Sequence, residues 1–172
     1  MKTTTYLITL FLFCILASCA NENEKENNEN TQQEFVNGKI INASGCKSNT
    51  KELLDDARKS QVDYIYDISA KTLTLKHINS AFNCCPDSLG VNISFVKDTI
   101  IIEELEYITN PCDCNCLYDL DIQAINVEPK KYVVKFAEFY FRDEKKLLFN
   151  IDLSEKINGS FSVERDEYPW GF

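Results

Sequence analysis

The sequence predicts an all-β fold, a two-layer sandwich of short strands stapled by disulfides. Three observations carry that expectation. From Val62 onward, apolar residues recur mainly at every second position, the period of a half-buried strand. Turn-forming residues punctuate these runs at short intervals, as in sandwiches rather than in alternating strand–helix units. Six cysteines follow residue 45, an even number in a chain that opens on an export signal.

Taken in order, residues 20–34 are Asn, Glu and Gln with almost nothing apolar. Such a segment cannot bury enough surface to offset its ordering entropy, so residues 19–34 are expected to be a disordered acidic tether. A single domain is expected over 35–172, within the usual size of one core. Phe35–Ile41 reads as a first strand. Asn49 is a candidate helix N-cap with Glu52 three residues on, giving one short N-terminal helix from Thr50 to about Lys59, with Leu53, Leu54 and Ala57 on one face. Leu73, Leu75 and His77 then alternate with Thr72, Thr74 and Lys76. Asn83–Gly90 reads as a turn. Val91, Ile93 and Phe95 share a face, and Lys97-Asp98 connects them to Thr99–Ile102 as a hairpin, without the glycine usual there. Tyr118, Leu120 and Ile122 form the next strand, which Glu128-Pro129-Lys130 ends. Tyr132, Val134 and Phe136 follow, with Phe139 and Phe141 beyond. Leu147, Phe149 and Ile151 form a late strand, Asn158-Gly159 a turn, and Phe161 and Val163 the last strand. Tyr168-Pro169-Trp170 is expected to pack back on the sheet.

The stretch Val127 to Val134 resembles the loop-to-strand passage of fibronectin and immunoglobulin-like domains, where a tyrosine two residues before an inward apolar position closes the corner. The resemblance implies an immunoglobulin-like or fibronectin-like sandwich.

The start of the chain has the parts of a secretory signal: Lys2, an apolar run Tyr6–Ile15, and small residues ending in Cys19. The run is shorter than the ~20 apolar residues a membrane span needs. Leu16-Ala17-Ser18-Cys19 resembles the bacterial lipobox. That resemblance implies removal of residues 1–18 and acylation of Cys19 by diacylglycerol and palmitate-type chains. Two or more chains hold stably in a membrane. Ala20 stands where an inner-membrane retention aspartate would, and Asn21–Glu26 resembles the acidic export tract of some surface-exposed Gram-negative lipoproteins. The location implied is the bacterial outer membrane, lipid-anchored, with exposure at the cell surface. A formal net charge of −9 argues against nucleic-acid partners and against charge-driven adhesion to anionic lipid, leaving the N-terminal lipid as the membrane contact.

Among chemical constellations the densest is Cys112-Asp113-Cys114-Asn115-Cys116. In an extended backbone its three sulfurs line one face, and soft sulfur suits zinc or copper(I). Zinc sites use wider cysteine spacing, and exported thiols oxidise. Cys46, Cys84, Cys85, Cys112, Cys114 and Cys116 are therefore disulfide candidates, with 15 pairings open. Redox enzymes carry Cys-x-x-Cys, a pair that does not occur here. Asp113, Asn115, Asp119 and Asp121 are spaced as calcium ligands, but Tyr118 and Ala124 stand where an EF-hand needs Gly and Glu, so these are solvated side chains. His77, the single histidine, reads as structural, and Glu103-Glu104 as a chance pair in an acid-rich chain. Nucleophile-elbow, zincin and phosphate-loop patterns do not occur. Asp87-Ser88-Leu89 and Asp98-Thr99-Ile100 resemble short O-glycosylated motifs of Gram-negative exported proteins, making Ser88 and Thr99 candidates at predicted turns.

The segments Asn83-Cys84-Cys85-Pro86-Asp87, Cys112–Asp119 and Tyr168-Pro169-Trp170-Gly171 resemble a family of small cysteine-rich Gram-negative lipoproteins. That likeness implies architecture and location, not an activity. The expectation is a non-enzymatic binding or structural module that needs no cofactor. The alternatives are a metal-handling or thiol-redox lipoprotein using Cys112, Cys114 and Cys116, and a glycan-binding accessory lipoprotein with Tyr168 and Trp170 as its platform.

Overall fold

The computed structural model describes residues 34–36, 38–47, 58–140 and 145–165. Ten strands account for most of them: β1 (Glu34–Val36), β2 (Gly38–Ala43), β3 (Lys59–Asp67), β4 (Thr72–Asn83), β5 (Ser88–Val96), β6 (Thr99–Tyr107), β7 (Asn115–Ala124), β8 (Lys131–Ala137), β9 (Leu148–Asp152) and β10 (Asn158–Glu164). There is no helix among the described residues. Two five-stranded sheets result, ordered β1-β5-β6-β8-β9 and β10-β3-β4-β7-β2. Every pairing is antiparallel except β6 with β8, which run parallel with Thr99 opposite Val133.

The alternation read from the sequence is the alternation of burial. Val62, Tyr64 and Tyr66 of β3, Leu73 and Leu75 of β4, and Leu120 and Ile122 of β7 join one buried cluster with Ile100 and Ile102 of β6, Val134 and Phe136 of β8, and Phe149 and Ile151 of β9. Burying each such aliphatic or aromatic side chain contributes roughly 1.5–3 kcal/mol. Inward tyrosines place their hydroxyls on backbone groups of loops and of a strand end. Tyr66 donates to the Val127 carbonyl at 2.7 Å and Tyr118 to that of Asn83 at 3.0 Å. The Tyr132 hydroxyl accepts from the Glu128 N–H at 3.2 Å, four residues upstream.

The long strand β4 is broken in phase by a bulge. Its register with β7 shifts between His77 and Ser80, and Asn79 adopts a left-handed backbone with φ 67°. The extra residue rephases the strand, so His77, Ser80 and Phe82 are all buried.

Several sequence expectations need correction. The first strand is two, with β1 in one sheet and β2 in the other. Most of the expected helix lies outside the described residues, and Lys59, its proposed end, begins β3. Asn158-Gly159 is not a turn: both residues lie in β10, opposite Ile65 and Tyr64. Gly159 is needed there because a Cβ would meet the Tyr64 hydroxyl at 2.7 Å. Gly90 likewise lies within β5, under the Tyr107 ring, rather than closing a turn. Lys97-Asp98 does form the tight β5–β6 connection, and Lys97 takes the left-handed conformation (φ 55°) that glycine would have supplied. Phe139 stands exposed after β8, while Phe141, Tyr168 and Trp170 lie outside the described residues.

Candidate functional site

Two features gather at one end of the sandwich, where β4 and β10 finish and β3 and β7 begin. One is a buried polar network. His77 Nδ1 lies 2.6 Å from Glu104 Oε1, and the other oxygen of that carboxylate accepts the Ser80 hydroxyl at 2.7 Å. His77 Nε2 is 2.9 Å from Ser60 Oγ and 3.9 Å from Glu138 Oε1. Arg165 grips Glu138 with contacts of 2.6 and 2.7 Å and also donates to the Lys145 carbonyl. The Phe136 ring stands edge-on to the imidazole at 5.1 Å between centroids. The network thus joins β3 and β4 of one sheet to β6 of the other.

Burial alone would push the imidazole's pKa down. The charge and hydrogen bond of Glu104, helped by Glu138, outweigh burial and the repulsion of Arg165, so the His77 pKa is held above its ordinary value. Burial pushes the Glu138 carboxyl up, although His77 and Arg165 pull the other way. With His77 protonated, both ring nitrogens donate, Nδ1 to Glu104 and Nε2 to Ser60. The serine–histidine–carboxylate row has the spacing of a nucleophilic triad. The row is closed to solvent, with Ser60 and His77 2% and 0% exposed. It links the two sheets through buried polar contacts.

The second feature is the cysteine cluster. The bridges are Cys46–Cys116, Cys84–Cys114 and Cys85–Cys112, with Cα separations of 5.4–5.6 Å, inside the range disulfides adopt. Local backbone order explains the pairing. Beyond the last β4–β7 pair, Asn83 with Asn115, the ladder continues as Cys84 N–H to Cys114 carbonyl at 3.1 Å. Asn83, 5% exposed, lays its amide along Cys112: it donates to the Cys112 carbonyl at 2.7 Å and accepts from the N–H groups of Cys112 (3.1 Å) and Cys85 (3.0 Å). Across β7, the Lys47 N–H donates to the Leu117 carbonyl at 2.9 Å, bringing Cys46 alongside Cys116.

Cys112, Cys114 and Cys116 do not present one face of three thiols; each goes to a different partner. Only Cys116 lies in β7; Cys112 and Cys114 precede the strand, with a bend at Asp113 between them. The sulfurs brought together are instead those of Cys46, Cys84 and Cys116, all within 4.8 Å of one another. Ser88 and Thr99 are not within turns but open β5 and β6, Ser88 exposed and Thr99 half-buried. Asp119 is tied to Lys47 at 2.5 Å and Asp121 to Asn42 at 3.1 Å, as partners of side chains rather than of a shared centre. Cys19 lies outside the described residues.

Ser60, Ser80, Glu104, Glu138 and Arg165 carried no motif in the sequence. Glu104 alone had a signal: it holds the inward position of the alternation Ile100, Ile102, Glu104, where an unpaired acid would be costly. The fold and this end of it define a two-sheet all-β domain with three disulfides. No family model, curated protein or solved structure matches the chain.

Proposed function

We propose that this chain is a lipid-anchored lipoprotein of the bacterial outer membrane, acting as a non-enzymatic binding or structural module of the envelope. The observation that supports it is the concentration of three disulfides at one end of a small all-β domain. Such bridges persist in oxidising compartments, and the lipobox-like Leu16-Ala17-Ser18-Cys19 supplies both the route there and the anchor. The acidic stretch after Cys19 then spaces the domain from the bilayer, and surface exposure follows from its likeness to export tracts. The immunoglobulin-like reading of the sandwich is supported by the Tyr132 corner; the parallel β6–β8 pair is its departure from the antiparallel pairing of those domains.

The test uses the full chain expressed in a Gram-negative bacterium supplied with labelled palmitate. The expected result is a labelled protein in the outer-membrane fraction. Cys19→Ser should abolish the label and release the chain while its disulfides still form. An unlabelled wild-type chain recovered from cytosol with reduced thiols overturns the reading.

A further inference from the structure

The Cys116 sulfur is bonded to Cys46 and stands 3.3 Å from the sulfur of Cys84, which is bonded to Cys114. Two disulfides therefore abut through their inner members. Exposure is graded along the row: Cys46 and Cys114 are exposed, Cys84 is half-buried and Cys116 is buried at 8%. Cys85–Cys112 stands apart from this contact, since only Cys46, Cys84 and Cys116 share the cluster.

We propose that these two bridges form an internal thiol–disulfide exchange pair with Cys46 as its outlet. A dithiol reductant reaching the Cys84–Cys114 bridge breaks it, taking the oxidation onto itself as its own disulfide and leaving two thiols. The Cys84 thiolate then attacks Cys116. A Cys84–Cys116 bond forms, the Cys46–Cys116 bond breaks, and its electron pair leaves on Cys46 as thiolate. The second step needs no oxidant or reductant, because one disulfide and one thiolate stand on each side. The attacking sulfur has about 1.2 Å to travel to reach a bonded separation of about 2.05 Å. Direction comes from solvation: an exposed thiolate is the better leaving group, and a half-buried one the more costly to keep charged. The outcome carries a reduction from the Cys84–Cys114 bridge to the opposite flank of β7, where Cys46 presents a surface thiol to a disulfide partner. This device does not depend on the lipid anchor.

Cys114→Ser isolates the second step. It leaves Cys84 without its partner, and acid quenching, alkylation and peptide mapping of the oxidised, exported variant locate the free thiol. The expected result is a shift of the label from Cys84 to Cys46, with a Cys84–Cys116 cross-linked peptide. A label on Cys84 with Cys46–Cys116 intact overturns the proposal. A second measurement uses the wild-type chain, treated natively with limiting dithiol and quenched in the same way. Labels on Cys46 and Cys114, with Cys85–Cys112 closed, support exchange. Labels confined to Cys84 and Cys114, or pairs drawn indiscriminately from all six cysteines, refute it.

Discussion

His77 is where a single residue decides most. It is fully buried, and its partners come from strands of both sheets. Four titratable side chains are linked in sequence, Glu104 to His77, His77 to Glu138 and Glu138 to Arg165, within hydrogen-bond or ion-pair reach. Removing one partner of a buried pair leaves the other uncompensated, which typically costs about 3–5 kcal/mol. Glu104→Gln should therefore lower the unfolding free energy by roughly 3 kcal/mol near neutral pH, read by chemical denaturation. The pH dependence has a definite sign. Because the folded pKa of His77 is raised, its contribution is fully present below the unfolded value of about 6.5 and fades as pH climbs through the higher folded value. The raised Glu138 carboxyl acts in the same direction from a lower starting pH. Wild-type stability should fall as pH rises above about 6.5, with a flatter slope in Glu104→Gln. A wild-type curve that rises there instead would rule out the raised His77 pKa. The sequence made His77 legible as a structural residue by its place in an alternating strand. It hid the partners, since nothing local to Glu104 or Ser60 says which strand lies across the core.

At the level of strands, periodicity located the elements well and glycine misled. Val62, Leu73, Val91, Tyr118, Tyr132 and Phe161 all fall in strands of the alternating runs that contain them. Gly159 and Gly90 looked like punctuation, yet each lies inside a strand beneath a tyrosine ring from its neighbour. A glycine covered by a long-range contact is indistinguishable, in sequence, from one that supplies a turn. The same contacts separate costly glycines from tolerant ones. A Cβ on Gly38 of β2 would lie 3.0 Å from the Ile93 Cβ, and Ile93 is 2% exposed and packed into the core. A Cβ on Gly90 would meet Tyr107 at 2.7 Å, but that ring is 54% exposed and free to swing outward. Gly38→Ala should cost about 1–3 kcal/mol, the usual penalty of overpacking, and Gly90→Ala well under about 1 kcal/mol. Thermal melts of the two variants beside wild type check the order. Equal shifts would mean that β2 yields as readily as an exposed ring.

For the molecule as a whole, the long-range connections were what sequence left open. Alternation says which residues face inward but not which sheet holds them, so the β1–β2 switch between sheets and the parallel β6–β8 pair had no local sign. Six cysteines likewise admit fifteen pairings, and Asn83, which holds Cys85 and Cys112 in register, looks like any turn asparagine. With the pairing known, loop length orders the bridges. Cys46–Cys116 spans a sequence separation of 70, and Cys85–Cys112 one of 27. Closing the longer loop takes more entropy from the unfolded chain, a difference of about 0.8 kcal/mol in the chain-entropy model. Packing adds in the same direction, since Cys116 is buried against the core while Cys85 is exposed. Cys46→Ala with Cys116→Ala should therefore destabilise the oxidised protein more than Cys85→Ala with Cys112→Ala, by at least about 0.8 kcal/mol extrapolated to water. The comparison also separates stapling from local support. If the shorter bridge proves the more costly to lose, the Asn83 contacts to Cys85 and Cys112 that it secures, rather than the tie between β2 and β7, govern the stability of this end of the sandwich.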